Sequence, residues 1–218
     1  MTMPYATVFW MIQDDRGLPM ASSKPSSNQL AQPGAGLPLF EQLYGRYVLF
    51  PVFCARTSWP KAVELFDAEY QTVVGLVRGV STEQLNRKVL IDRLPGLEDS
   101  SRYWSVLMTL RHIIVVTNGI RRVAEALSMQ RLDGLSAVQI EDFKPDEGPH
   151  SKEAVLRAYA TLNEGFLAAM VDPLVKRPSP LKFAHPWFGD LDNEGWVKLA
   201  ALHHQLHRQQ IEAILSLL

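Results

Sequence analysis

From Ser101 to Met129 the chain runs without a proline, and Met108, Val116, Val123 and Leu127 recur there at three- and four-residue spacings. A segment of that length and period is a helix with one buried stripe, and such a stripe needs other apolar faces to pack against. The rest of the chain supplies them. Thr57 or Ser58 followed by Pro60 opens a helix in which Ala62, Leu65, Phe66, Tyr70, Val73, Leu76 and Val77 recur until Gly79. Ser81-Thr82-Glu83-Gln84 has capping-box spacing and predicts a short helical piece through Leu85 and Val89. The long central helix is predicted to start at Ser100 or Ser101, with Trp104 on its stripe. Ser151 caps a third helix, Glu153 to Met170, stopped by Asp172-Pro173. Asp192 caps a fourth that continues to the C-terminus, with Leu191 and Trp196 at the hydrophobic-staple positions.

Four long amphipathic helices predict an all-α, antiparallel four-helix bundle, and connecting loops of roughly 20 residues allow crossovers between its helices. The bundle occupies residues 59–218. Residues 1–58 read as an irregular N-terminal extension, partly flexible. Within it, Gly17 to Gly36 is rich in Ser, Pro, Gly, Gln and Asn and has no apolar period. Leu39 to Cys54, with Tyr47-Val48-Leu49-Phe50 broken by Pro51, reads equally as a short strand, a docking helix or an arm onto a partner.

With 22 Lys and Arg against 23 Asp and Glu, the chain has no basic surplus for gripping a phosphate backbone, so no nucleic-acid partner is expected. No apolar run reaches the roughly 18 residues of a bilayer span, so no membrane partner is expected either. The patch Tyr5 to Ile12 lacks the basic flank and cleavage site of a leader. A single cysteine, Cys54, rules out an internal disulfide and a thiolate-rich zinc site. These features predict a cytoplasmic protein whose metal, if it has one, is held by nitrogen and oxygen.

The histidines give that condition substance. On the fourth helix, at about 100° per residue, His203 and His207 fall in the middle of the stripe of Trp196, Leu199, Ala200, Ile211, Ile214 and Leu218. Spacing of i and i+4 points both rings at one spot, as in helical metal chelates. His204 falls toward the edge. On the second helix His112 lies at the centre of the stripe. Three imidazoles from two helices would form a facial set with open positions; otherwise they are core histidines that need polar partners.

Tyr103-Trp104-Ser105, Leu110-Arg111-His112-Ile113, His185-Pro186-Trp187-Phe188-Gly189-Asp190-Leu191 and His203-x-x-x-His207-Arg208-Gln209-Gln210-Ile211 resemble the DinB-like superfamily of metal-binding four-helix bundles. The resemblance covers about Trp59 to the C-terminus. It implies that His112, His203 and His207 are ligands of a divalent ion, Zn²⁺ or Ni²⁺ foremost. It also implies thiol-dependent transfer to a small-molecule substrate with a low-molecular-weight thiol as cofactor, or hydrolysis at the same histidines. A non-catalytic binding bundle is the competing expectation. A homodimer fits both the resemblance and the apolar Tyr47 to Phe53.

Glu69 lies on the stripe of the first helix, where it can serve as fourth ligand, partner to an imidazole or base, or as one half of a salt bridge at the stripe's edge. The salt bridge is the plainer expectation. Trp104, Met108, Trp187 and Phe188 read as core rather than substrate box. His185 reads as positioning its turn through a backbone hydrogen bond, and Arg208 as a solvated edge. Nothing in the sequence explains a depressed pKa at Cys54.

Overall fold

Ser58, Ser105, Ser151 and Asp192 each accept a hydrogen bond from the backbone N–H three residues on, and each begins one long helix. The computed structural model describes residues 30–218 apart from residue 33. The Tyr5–Ile12 patch and most of Gly17–Gly36 lie outside the described residues.

In chain order these form α1 (Leu39–Tyr44), a π-helical turn (Gly45–Leu49), α2 (Phe50–Arg56), α3 (Trp59–Val77), α4 (Thr82–Asn86) and β1 (Val89–Leu90). A 3₁₀ turn (Asp99–Ser101), β2 (Tyr103–Trp104), α5 (Val106–Ser128), a second 3₁₀ turn (Ile140–Phe143) and α6 (Lys152–Val171) follow. β3 (Phe183–His185), β4 (Gly189–Leu191) and α7 (Asn193–Leu215) complete the chain.

The bundle is α3, α5, α6 and α7. Trp59 at the start of α3 donates its indole N–H to the Met170 carbonyl at the end of α6, so these two run antiparallel. Asn193 at the start of α7 reaches Ser128 at the end of α5, which sets α5 and α7 antiparallel as well. Lys198 bonds the Cys54 carbonyl and Arg208 bonds Glu69, so α3 and α7 run in the same direction. The long connections, read in the sequence as room for crossovers, make that parallel pair. Phe66 and Phe166 pack as tilted rings with centroids 4.1 Å apart in one half of the core, while Leu107, Ile113, Tyr159 and Ile211 fill the other.

The start of the second long helix differs from expectation. Trp104 is not helical but pairs with Val89 in a two-stranded ribbon, and Ser105 caps the helix at Val106. Val89 likewise leaves the short capped helix, which ends at Asn86. Two-residue strands fall below any period, and the tertiary pairing wins over the helical pattern.

Of the three readings for Leu39–Cys54, the structure takes the docking helix. Pro51 sits in the first turn of α2, directly after the π-helical turn, whose wider ring suits a chain about to lose a donor. Phe50 and Phe53 are buried, and the Phe50 ring packs tilted against Phe188 with centroids 4.6 Å apart. Arg93 grips Glu41 of α1 with two bonds of 2.5 and 2.6 Å. The segment ahead of α1 is tied to the same loop, Ala31 N–H donating to Asp99 and Gly36 N–H to Glu98. No helix among the described residues is long and apolar enough to cross a membrane.

Candidate metal centre

α5 and α7 cross so that His112, His203 and His207 offer one nitrogen each to a common point, all within 4.8 Å of one another. His203 Nε2 lies 3.1 Å from His112 Nε2 and 3.1 Å from His207 Nε2. Among the described residues this is the one group of three or more His, Cys, Asp and Glu side chains so placed.

The outer nitrogens decide what the inner ones present. His112 Nδ1–H donates to the Phe143 carbonyl at 2.8 Å, since a carbonyl can only accept. His112 Nε2 is therefore a bare lone pair. Gln210 donates its amide N–H to the Ser101 carbonyl at 2.8 Å, which turns its amide oxygen onto His207 Nδ1 at 2.7 Å. His207 Nε2 is bare as well. If His203 carries its proton on Nε2 it can satisfy only one of the two neighbours well, and its own buried Nδ1 has no partner among the described residues. Protonating any ring is disfavoured: burial pulls His112 down to about 4, and burial together with the charge of neighbouring imidazoles drives His203 and His207 well below the ordinary histidine value. With the His203 proton on Nδ1, three lone pairs converge with no proton between them, which is a donor set for a cation. The neutral imidazoles, outer N–H bonds and mutual distances all fit a divalent ion.

The remaining candidates fall elsewhere. Glu69 makes a salt bridge with Arg208, which also binds Glu212 at 2.6 Å, and Glu69 is outside the histidine group. Burial raises its carboxyl above the usual range despite Arg208. His204, expected at the stripe's edge, is instead fully buried: the Tyr159 hydroxyl bonds its Nε2 and Phe66 packs 4.6 Å from its ring. The buried arc of α7 is thus rotated toward His204, and His203 faces a cleft rather than the core. His185 Nδ1 accepts from the N–H groups of Trp187 and Phe188 at 3.1 and 3.4 Å, holding the turn between β3 and β4. Cys54 is half-buried and its thiol is pushed up to about 11 by burial, the opposite of an activated nucleophile. Trp104 is buried with its ring 5.1 Å from that of His112, and Met108 is core. Trp187 and Phe188 line the cleft.

That cleft, about 1470 Å³, opens onto all three histidines and is walled by α1, α2, the loop 92–98, α5, α7 and the β3–β4 turn. The residues that sequence reading passed over are Gln210 and Phe143. Gln210 lies three residues after His207, one turn away, and that spacing was a usable signal. Phe143 acts through its backbone from a 3₁₀ turn, where side-chain identity carries no signal.

The crystal structure of TT2238, a four-helix bundle protein, is similar to this chain with a TM-score of 0.51 and 23% identity, covering 72% of this chain and 99% of that one. At that identity the likeness speaks for the fold. No curated protein matches the chain. The sequence model of the DinB superfamily matches residues 58–211, spanning all four bundle helices and the three histidines. The chain belongs to the DinB superfamily.

Proposed function

We propose that the chain is a divalent-metal protein that transfers a low-molecular-weight thiol to a small electrophile, with His112, His203 and His207 as ligands. The observation that carries the metal is the convergence of three Nε2 atoms whose partners leave at least two of them bare. Bound there, Zn²⁺ or Ni²⁺ would keep its full double charge among neutral ligands and so favour deprotonation of a thiol or water. The chain's own residues do the rest. Phe143 and Gln210 fix the ring orientations, and the cleft that opens onto the histidines gives a small electrophile room beside them.

Hydrolysis at the same histidines is the alternative reaction. Glu69 is not its general base, because that carboxylate is engaged by Arg208 and does not line the cleft. Self-association is supported by Leu39 and Phe40 of α1 and Tyr47 of the π-helical turn after it, which are 70%, 67% and 65% exposed.

The test is metal content of purified wild type against His203→Ala and His207→Ala, with melting temperatures before and after addition of Zn²⁺ or Ni²⁺ near pH 7.5. Stoichiometric metal and a rise in melting temperature in wild type alone support the reading. Equal metal in the variants, or none in wild type with no thermal response, defeats it. Turnover of model electrophiles with glutathione, mycothiol or bacillithiol, and hydrolysis of ester or amide analogues, then separates transferase from hydrolase.

A further inference from the structure

The cleft is polarised along its length. From His112 it follows one face of α5 through Val116 and Gly119 to Arg122, ten residues and about 15 Å further on. Gly119 lies against the Phe143 ring, a Cβ built there standing 3.6 Å from it in ordinary contact, so this ring flanks the passage midway along α5. Arg56 closes α2 at the same end, because the neighbouring Cys54 carbonyl is held by Lys198, upstream of His203 on α7.

The charges sort by end. Glu41, Glu98 and Glu212 are occupied by Arg93, by Ser100 and Gly36 N–H, and by Arg208. Asp142 adjoins Phe143, whose carbonyl holds His112, and Asp92 belongs to the loop that reaches Leu206 through Gly96. Both free acids are at the histidine end. Arg56 and Arg122 are exposed at the far end, and their guanidiniums have no ion pair or hydrogen bond among the described residues.

We propose that Arg56 and Arg122 form the anion-binding end of this cleft, so that the ligand served by the histidines is an elongated amphipathic acid. Its apolar body lies along Val116 and Val123, its anionic group meets the two guanidiniums, and its reactive end faces His112, His203 and His207. The last point rests on the histidines being the reactive centre, while the arginine end stands on the cleft alone.

The probe pair is decanoate and decan-1-ol, titrated calorimetrically into the full-length protein after chelator treatment. Wild type is expected to bind decanoate roughly tenfold tighter than the alcohol, and the Arg56→Ala/Arg122→Ala double variant to lose that preference while keeping its affinity for the alcohol. The proposal is overturned if wild type binds neither compound, if the double variant keeps the preference, or if His203→Ala abolishes it, which would place the anion at the histidines. Metal content read on the same samples keeps the two ideas apart. Arginine-dependent preference in a protein that takes up no metal sinks only the metal reading, and stoichiometric metal without that preference sinks only this one.

Discussion

His112 and His203 bring their Nε2 atoms to 3.1 Å although 91 residues separate them in the chain. The His112 ring is held from outside by its Nδ1–H bond to the Phe143 carbonyl, which leaves its Nε2 as a lone pair facing His203 inside the bundle.

Gln210→Leu removes the acceptor on His207 Nδ1 and leaves the Ser101 carbonyl without its donor. Metal affinity measured by chelator competition is expected to fall about 10- to 100-fold, the usual effect of losing an outer-shell partner. Gln210→Glu restores the acceptor and recovers affinity in part. Unchanged affinity in the leucine variant would mean that the bond does not orient the ring.

Asn193 ties three segments: its amide N–H groups serve Ser128 Oγ, the Val175 carbonyl and the Arg177 carbonyl at 2.8, 3.2 and 2.7 Å, while its oxygen accepts from Ser179 N–H at 3.2 Å. Asn193→Leu strands those buried groups and is expected to cost about 2 kcal/mol in urea unfolding. A loss within error of zero would show that water replaces the network without penalty.

Glu41 is drawn upward by burial, but the Arg93 hydrogen bond, the Gly96 N–H and the Arg93 charge outweigh it and hold the carboxyl below its ordinary value. Stability from this group is therefore present above the unfolded value of about 4.3 and fades as pH falls through the lower folded one. Arg93→Ala is expected to destabilise by roughly 1 kcal/mol at pH 7 and to expose the α1–α2 segment to limited proteolysis. The energetic difference from wild type should shrink toward pH 3. A difference that stays constant with pH would rule out the carboxylate as its source.

His185 is pulled down to about 4 by burial, and its Nδ1 must be unprotonated to accept from Trp187 and Phe188. The unfolded ring binds a proton near 6.5, so its contribution is complete above that value and is lost as pH falls toward 4. In metal-free protein the melting temperature should drop between pH 7.5 and pH 5, and His185→Asn should make that drop smaller. An unaltered slope would exclude His185 as a contributor.

The caps made the helices legible. Ser58, Ser151 and Asp192 stand where a side-chain oxygen can reach the third N–H onward, and three of the four long helices begin there as read. The second begins at Ser105 because Val89, fifteen residues earlier, claims Trp104, a contact no window of local periodicity contains. The histidine triad was legible because its spacing is helical. His204 was misplaced because its fitness for the core depends on the Tyr159 hydroxyl, 45 residues away on another helix. Phe143 was illegible in principle, since any residue has a carbonyl.

The order in which the site's parts emerge during synthesis has a consequence of its own. His112 is translated 91 residues before His203, with the whole of α6 between them. The nascent chain therefore holds only one of the three nitrogens until α7 is made, and α7, which lies beside both α3 and α5, is the last of the four bundle helices to dock. The three imidazoles consequently cannot meet before α7 is in place, and a chain cut short before α7 would expose an apolar groove where the two flanking helices await it.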